Sequence, residues 1–447
     1  MWKPVRTTAA VLVVLLCGPP AVTAAEPATE KSSCRPIMPA GDTATLLVSG
    51  DVAARRLAAM RAPPGSADHD LLGGLLAASL LEDAAAAARL NKALTRPDDA
   101  PRFFAGVALA GVWMRQGRYA AAAEVLRSTL ANGDAAGAGE DAWRAAHQLM
   151  AVADSLRDVP AQVGPAAVRG AVTLQRDAAG LGRAALTIND QPADAIIDTG
   201  ANLSVMVASK AETLGLRLLE RSVTVSSPLA ESTEARLAVA DRLTIGGATF
   251  DNVVFIVFPD AVLTFAEGAY RIDVILGFPV LAHLGRLHFV SDGDGDRLSF
   301  VRPAARPPVS PMTANLFVEG LTPKVVGCTI PGQLAVQFAL DSGAQATSVR
   351  PRFGRAVPDA LGRATTVTRT QGGVGGTLDQ SGLRLPPLQL DLGGRQLLLE
   401  NLVMTAEAAD DAGDHGRIGQ DVLRAKGGYV LDFIQMRFEL GGATVDP

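Results

Sequence analysis

The period of the apolar positions changes along the chain. From about residue 42 to 160 they recur at helical spacing, as in Leu71, Leu72, Leu75 and Leu76, and again in Leu109, Val112 and Trp113. Residues 84–88 are all alanine, the residue with the highest helix propensity. Pro97, Pro101, Gly133, Gly137 and Gly139 break the segment into separate helices. From about Val168 the runs shorten to strand length, as in Val172-Thr173-Leu174, and alternate with turns bearing Gly, Asn and Asp. Pro303, Pro307, Pro308 and Pro311 interrupt this β region and mark residues 304–311 as a linker. The pattern predicts a mainly β protein. A small α-helical domain over 42–160 precedes two β units, over 168–303 and 312–445.

The start of the chain has its own pattern. Lys3 and Arg6 precede an apolar run from Ala9 to Cys17, which Gly18, Pro19 and Pro20 end. That run is shorter than the roughly 20 residues needed to span a bilayer. With the small residues of Val22-Thr23-Ala24, residues 1–24 read as a secretory signal peptide. Leu16 is bulky where a lipoprotein signal has a small residue before its cysteine, which argues against lipidation at Cys17. The expectation is a periplasmic or secreted protein with no integral membrane segment after signal cleavage. The arginine-heavy, lysine-poor usage resembles that of a GC-rich Gram-negative bacterium. Cys34 and Cys328 would remain, an even count that allows a disulfide in an oxidising compartment. The sequence leaves open whether the two meet.

Composition narrows the field further. The chain has 447 residues, 48% hydrophobic and 19% charged, with ample apolar surface to bury. A formal net charge of −5 without a basic run speaks against nucleic-acid binding. His69, His147, His283, His288 and His415 are scattered, and no His-Glu-x-x-His or Cys-x-x-Cys spacing suggests a metal site. His283 and His288 read as structural. No nucleophile elbow or phosphate-cradling loop is present either. No metal or cofactor is expected.

The chemistry lies in an internal repeat. The first β unit contains Ala195-Ile196-Ile197-Asp198-Thr199-Gly200-Ala201, and the second contains Phe338-Ala339-Leu340-Asp341-Ser342-Gly343-Ala344. Downstream lie Val274-Ile275-Leu276-Gly277 and Ile418-Gly419. The aspartate-to-glycine distances are 277 − 198 = 79 and 419 − 341 = 78 residues. One Asp-Thr-Gly is weak evidence, because such a triplet also forms ordinary turns. Two copies with matched downstream glycines indicate a duplicated fold.

At these residues the chain resembles the retropepsin-like and pepsin-like aspartic proteases. The resemblance covers roughly residues 168–445 and implies two tandem acid-protease β-barrel lobes. It further implies that Asp198 and Asp341 are the catalytic pair. Thr199, Gly200, Ala201, Ser342, Gly343 and Ala344 would support the active-site loops, with the hydroxyls locking them across the interface. Ile275, Leu276 and Gly277, and Ile418 and Gly419, would form the ψ-shaped crossings. The family's hairpin flaps would correspond to Gly372, Gly373, Gly375 and Gly376 in the second lobe and to residues 226–234 in the first. Arg417 departs from the family, which has an apolar residue there.

Residues 105–130 resemble one tetratricopeptide repeat. Leu109, Ala110 and Trp113 lie on its first helix, Gly117-Arg118-Tyr119 forms its turn, and Ala122 lies on its second; the flanking repeats are degenerate. A short helical bundle is the competing reading. Either way the helical unit is expected to offer a packing surface or a surface for a protein partner.

The expected function is that of an exported aspartic endopeptidase acting on a peptide or protein substrate. The alternative is a catalytically inactive peptide-binding or scaffold protein on the same fold.

Overall fold

The computed structural model describes residues 13–14, 22–24, 34–35, 42–95, 99–131, 138–225, 233–292, 295–373, 376–405 and 413–441. Its longer helices come first: α1 (Thr43–Ser49), α2 (Val52–Arg61), α3 (Ala67–Ser79), α4 (Asp83–Ala93), α5 (Asp99–Arg115), α6 (Tyr119–Leu130) and α7 (Glu140–Ser155). Asp42, Asp51 and Ser66 cap α1, α2 and α3 with their side chains. Consecutive helices pack on one another. Gly117, in the left-handed region at φ 67°, turns the chain between α5 and α6. No helix among the described residues is long and apolar enough to cross a membrane.

Two β-barrels follow. In the first lobe, strand Gly182–Ile188 pairs with Gln191–Ile197, which pairs in parallel with Val274–Leu276. The path continues through Ser204–Val207, Ala248–Phe258 and Thr233–Ile245, which returns to Gly182–Ile188 and closes the ring. The second lobe repeats this circuit with Thr322–Ile330, Ala335–Leu340, Gly416–Ile418, Ser348–Val349, Val403–Thr405 and Gly376–Arg384. Here the closing strand is split, and Leu388–Leu392 makes the return to Thr322–Ile330. Pro386 and Pro387 occupy the break, where two residues without N–H cannot continue a ladder.

The lobes share a sheet. Strand Gly428–Asp432 lies late in the second half of the sequence, yet it pairs with Arg286–Asp292 of the first, and Arg437–Leu440 pairs beside it. A split of the chain at residue 311 is therefore crossed by hydrogen bonds. The arrangement covers an edge of Arg286–Asp292 that would otherwise stand open. One apolar core runs through both barrels, including Ile197, Phe255, Leu276, Phe338, Leu340 and Ile418. A second core joins α5–α7 to the other face of the first barrel through residues such as Leu126, Leu156, Val205 and Ile256. Of residues 1–24, only Val13–Val14 and Val22–Ala24 are described, as short strands on edges of the second-lobe sheet.

Candidate active site

Each motif begins at the buried end of a strand. Gln191–Ile197 leads into Asp198, and Ala335–Leu340 leads into Asp341. The downstream strands pass beside them in parallel. Asp198 N–H donates to the Leu276 carbonyl at 3.0 Å, and Asp341 N–H donates to the Ile418 carbonyl at 3.1 Å. Ile275 pairs with Ile196, and Arg417 pairs with Ala339.

Gly277 and Gly419 end these strands at points where backbone meets backbone. A Cβ on Gly277 would stand 2.6 Å from the Leu203 carbonyl carbon, and one on Gly419 2.6 Å from that of Ala346. The contacts repeat between the lobes. Gly277 N–H donates to Ser204 Oγ at 3.1 Å, and Gly419 N–H donates to Thr347 Oγ1 at 3.0 Å. The Ala201 carbonyl accepts from Phe278 N–H at 2.8 Å, and the Ala344 carbonyl accepts from Gln420 N–H at 2.9 Å.

The two aspartate loops then interlock. Thr199 Oγ1 donates to the Leu340 carbonyl at 3.1 Å and accepts from Ser342 N–H at 3.1 Å. Ser342 Oγ donates to the Ile197 carbonyl at 2.7 Å and accepts from Thr199 N–H at 3.0 Å. All four bonds cross between the lobes and all are buried. Gly200 and Gly343 let each loop approach the opposite carboxyl: a Cβ on Gly200 would lie 2.7 Å from Asp341 Cγ, and one on Gly343 2.5 Å from Asp198 Cγ. Gly343 N–H donates both to Asp341 Oδ1 at 3.0 Å and to Asp198 Oδ1 at 3.2 Å. The structure thus brings both aspartates, both hydroxyls and both glycine pairs to one point.

The electrostatics follow from burial. Asp198 is 0% exposed and Asp341 2%. Burial first, and then the neighbouring carboxylate, holds Asp198 well above the ordinary carboxylate range. Burial also raises Asp341, but the Arg417 guanidinium pulls it back. Arg417 Nη1 stands 3.1 Å from Asp341 Oδ2. Its side chain thus points at the dyad, a direction the sequence leaves open.

Several supporting residues lie outside the motifs. Gln420 Nε2 donates to the Ser342 carbonyl at 2.7 Å. Gln345 donates to the Ala179 carbonyl of the other lobe. Asp421 Oδ1 accepts from the N–H and Oγ1 of Thr347 at 2.8 and 2.7 Å. Ser204 and Thr347 each stand six residues beyond their aspartate, a match that laying one half on the other would have exposed.

The flap candidates divide. Gly372 and Gly373 end strand Thr365–Gly373, facing Thr377 and Gly376 across a hairpin. Gly375 lies outside the described residues, as do residues 226–232 of the first-lobe counterpart. Elsewhere, His283 Nε2 lies 3.2 Å from the Pro165 carbonyl, and His288 is buried in the shared sheet. Cys34 and Cys328 form a disulfide, with Cα atoms 5.4 Å apart.

Two closed barrels, crossed parallel strands and interlocked Asp-hydroxyl-Gly loops together define a retropepsin-like aspartic-protease fold. The sequence comparison agrees: residues 184–280, most of the first barrel together with Asp198 and Gly277, match the family model described as aspartyl protease. A search of curated proteins finds no match. Among solved structures, a retropepsin-like aspartic protease from Rickettsia conorii is similar at 20% identity, with a TM-score of 0.22, over 31% of this chain and 96% of that one.

Proposed function

We propose that this chain is an exported aspartic endopeptidase that hydrolyses peptide bonds with a water activated between Asp198 and Asp341. The observation that carries this reading is the reciprocal Thr199–Ser342 lock, which fixes two buried carboxyl loops face to face within one chain. In the mechanism, the ionised carboxyl takes a proton from water as the oxygen attacks the scissile carbonyl carbon. The protonated carboxyl gives its proton to the carbonyl oxygen. Collapse of the tetrahedral diol breaks the C–N bond, and the leaving nitrogen takes up a proton. No step needs a metal or a covalent enzyme intermediate.

Two further features support parts of the reading. The leader-like start and the Cys34–Cys328 bridge both suit an oxidising compartment outside the cytoplasm. The helical unit packs against the barrels and leaves exposed faces on α4, at Ala84, Ala88 and Asn91, and on α6, at Glu124 and Ser128, which suits a docking arm for a protein partner.

The test is incubation of the mature chain with a mixed peptide library between mildly acidic and neutral pH. Cleavage blocked by a statine transition-state inhibitor is the expected result. Tight peptide binding without cleavage would replace the enzyme by the binding protein.

A further inference from the structure

The two halves of the site differ in charge at one register of the strands beside the aspartates. In the first lobe, Ile275 pairs with Ile196 on one side and Val205 on the other. In the second, Arg417 pairs with Ala339 and Ser348 at the corresponding registers. Three bulky apolar residues thus correspond to a long cation between two small residues. Alternate strand residues share a face, so Ala339 lies on the Asp341 side of its strand. Small neighbours leave room for the Arg417 side chain to fold toward the carboxylate, and it does so. Its side chain is 14% exposed and its Nη1 stands 3.1 Å from Asp341 Oδ2.

The acceptors divide accordingly. Asp341 Oδ1 accepts from Gly343 N–H and its Oδ2 faces Arg417. Asp198 Oδ1 accepts from Gly200 N–H at 2.8 Å and from Gly343 N–H. Asp198 Oδ2 is buried with no donor among the described residues. An ion at that atom would be uncompensated, so it is the cheaper place for the proton. Among the described residues, Tyr429 of the shared sheet also feels the Asp198 charge, and burial keeps its hydroxyl neutral.

We propose that Arg417 is a positioning residue that makes the two aspartates unequal, holding Asp341 as the ionised base and leaving the proton on Asp198 Oδ2 as the acid. This rests on the aspartic-protease reading above and adds which carboxyl plays which part. The directions of the two titrations agree with it: Asp198 is held higher than Asp341, and Arg417 is the largest influence drawing Asp341 down.

The experiment follows the two carboxyl carbons of the full chain, carrying 13C-labelled aspartate, as a function of pH. Asp198→Asn and Asp341→Asn assign the signals. In the unaltered chain Asp341 ionises first. In Arg417→Ile, the residue the first lobe uses at this register, its midpoint rises by about one pH unit or more. Arg417→Met serves as a second variant of matched length, and Arg417→Lys keeps the original order. The acid limb of kcat/KM should rise with the midpoint in Ile and Met but not in Lys. Asp198 ionising first, or midpoints that are the same with and without the cation, would overturn the proposal. A shifted titration in a chain that cleaves nothing supports Arg417's role and rejects the protease reading. Cleavage with an unmoved acid limb does the reverse.

Discussion

Thr199 and Ser342 use both capacities of their hydroxyls on the opposite lobe, so each substitution strands two buried backbone groups. Thr199→Val keeps the shape but leaves the Leu340 carbonyl and Ser342 N–H unpaired. The expected loss is about 1–3 kcal/mol for each stranded group, read by urea unfolding. A loss too small to measure would show that the lock is not tight. Asp198 has the opposite sign. Its folded pKa is raised, so it favours the fold fully below the unfolded value and loses that contribution as pH rises through the folded value. Asp198→Asn should therefore raise the melting temperature at pH 7 and leave it nearly unchanged at pH 3. An equal rise at both would contradict the burial argument. The motif residues were legible because the repeat displayed them twice. Arg417's direction was not, since it depends on Ala339 and Ser348, which only strand pairing brings beside it.

The strand-end glycines act at the next scale. Gly277→Ala and Gly419→Ala each force a methyl to within 2.6 Å of backbone carbon, where no rotamer offers relief. Overpacking of this sort costs about 1–3 kcal/mol or more, and the crossing strand must shift away from its aspartate. Lower stability together with lower turnover is expected, from parallel melts and cleavage assays. Unchanged values in both would mean that the crossings tolerate movement. At this scale the change of apolar period marked where helices give way to strands, and the matched glycines marked the duplication. The sheet shared between Gly428–Asp432 and Arg286–Asp292 was hidden, because strand periodicity reveals a pleat and not the partner. The split in the second barrel's closing strand was visible in Pro386-Pro387, once that stretch is known to be a strand.

Across the whole molecule, the helical unit bridges both lobes. Val52 N–H donates to Gln337 Oε1 of the second lobe at 2.9 Å, and Arg55 pairs with Glu319. At the other end, α7 lies on strand Arg217–Val225, where Asp154 pairs with Arg221 at 2.6 Å. Arg306 in the Pro-rich stretch donates to the carbonyls of Leu80 and Ile434, so this linker is packed against both units. The Cys34–Cys328 bridge spans 294 residues and ties the start of the chain to the second barrel. Reduction, or Cys328→Ser, should cost about 2–5 kcal/mol of stability, seen as a lower melting temperature; an unchanged melt would show that the bridge adds nothing. The sequence offered only an even cysteine count here, because contacts at such separation leave no local signal.

The central claim is that one chain builds one complete site from two unlike aspartates. Its most direct test is the rate of peptide-library cleavage by the unaltered chain, by Asp198→Asn, by Asp341→Asn, and by an equimolar mixture of the two variants. Cleavage by the unaltered chain alone, with both variants folded and inactive singly and mixed, is the predicted result. Recovery of activity in the mixture, or unaltered turnover in either variant, would contradict it.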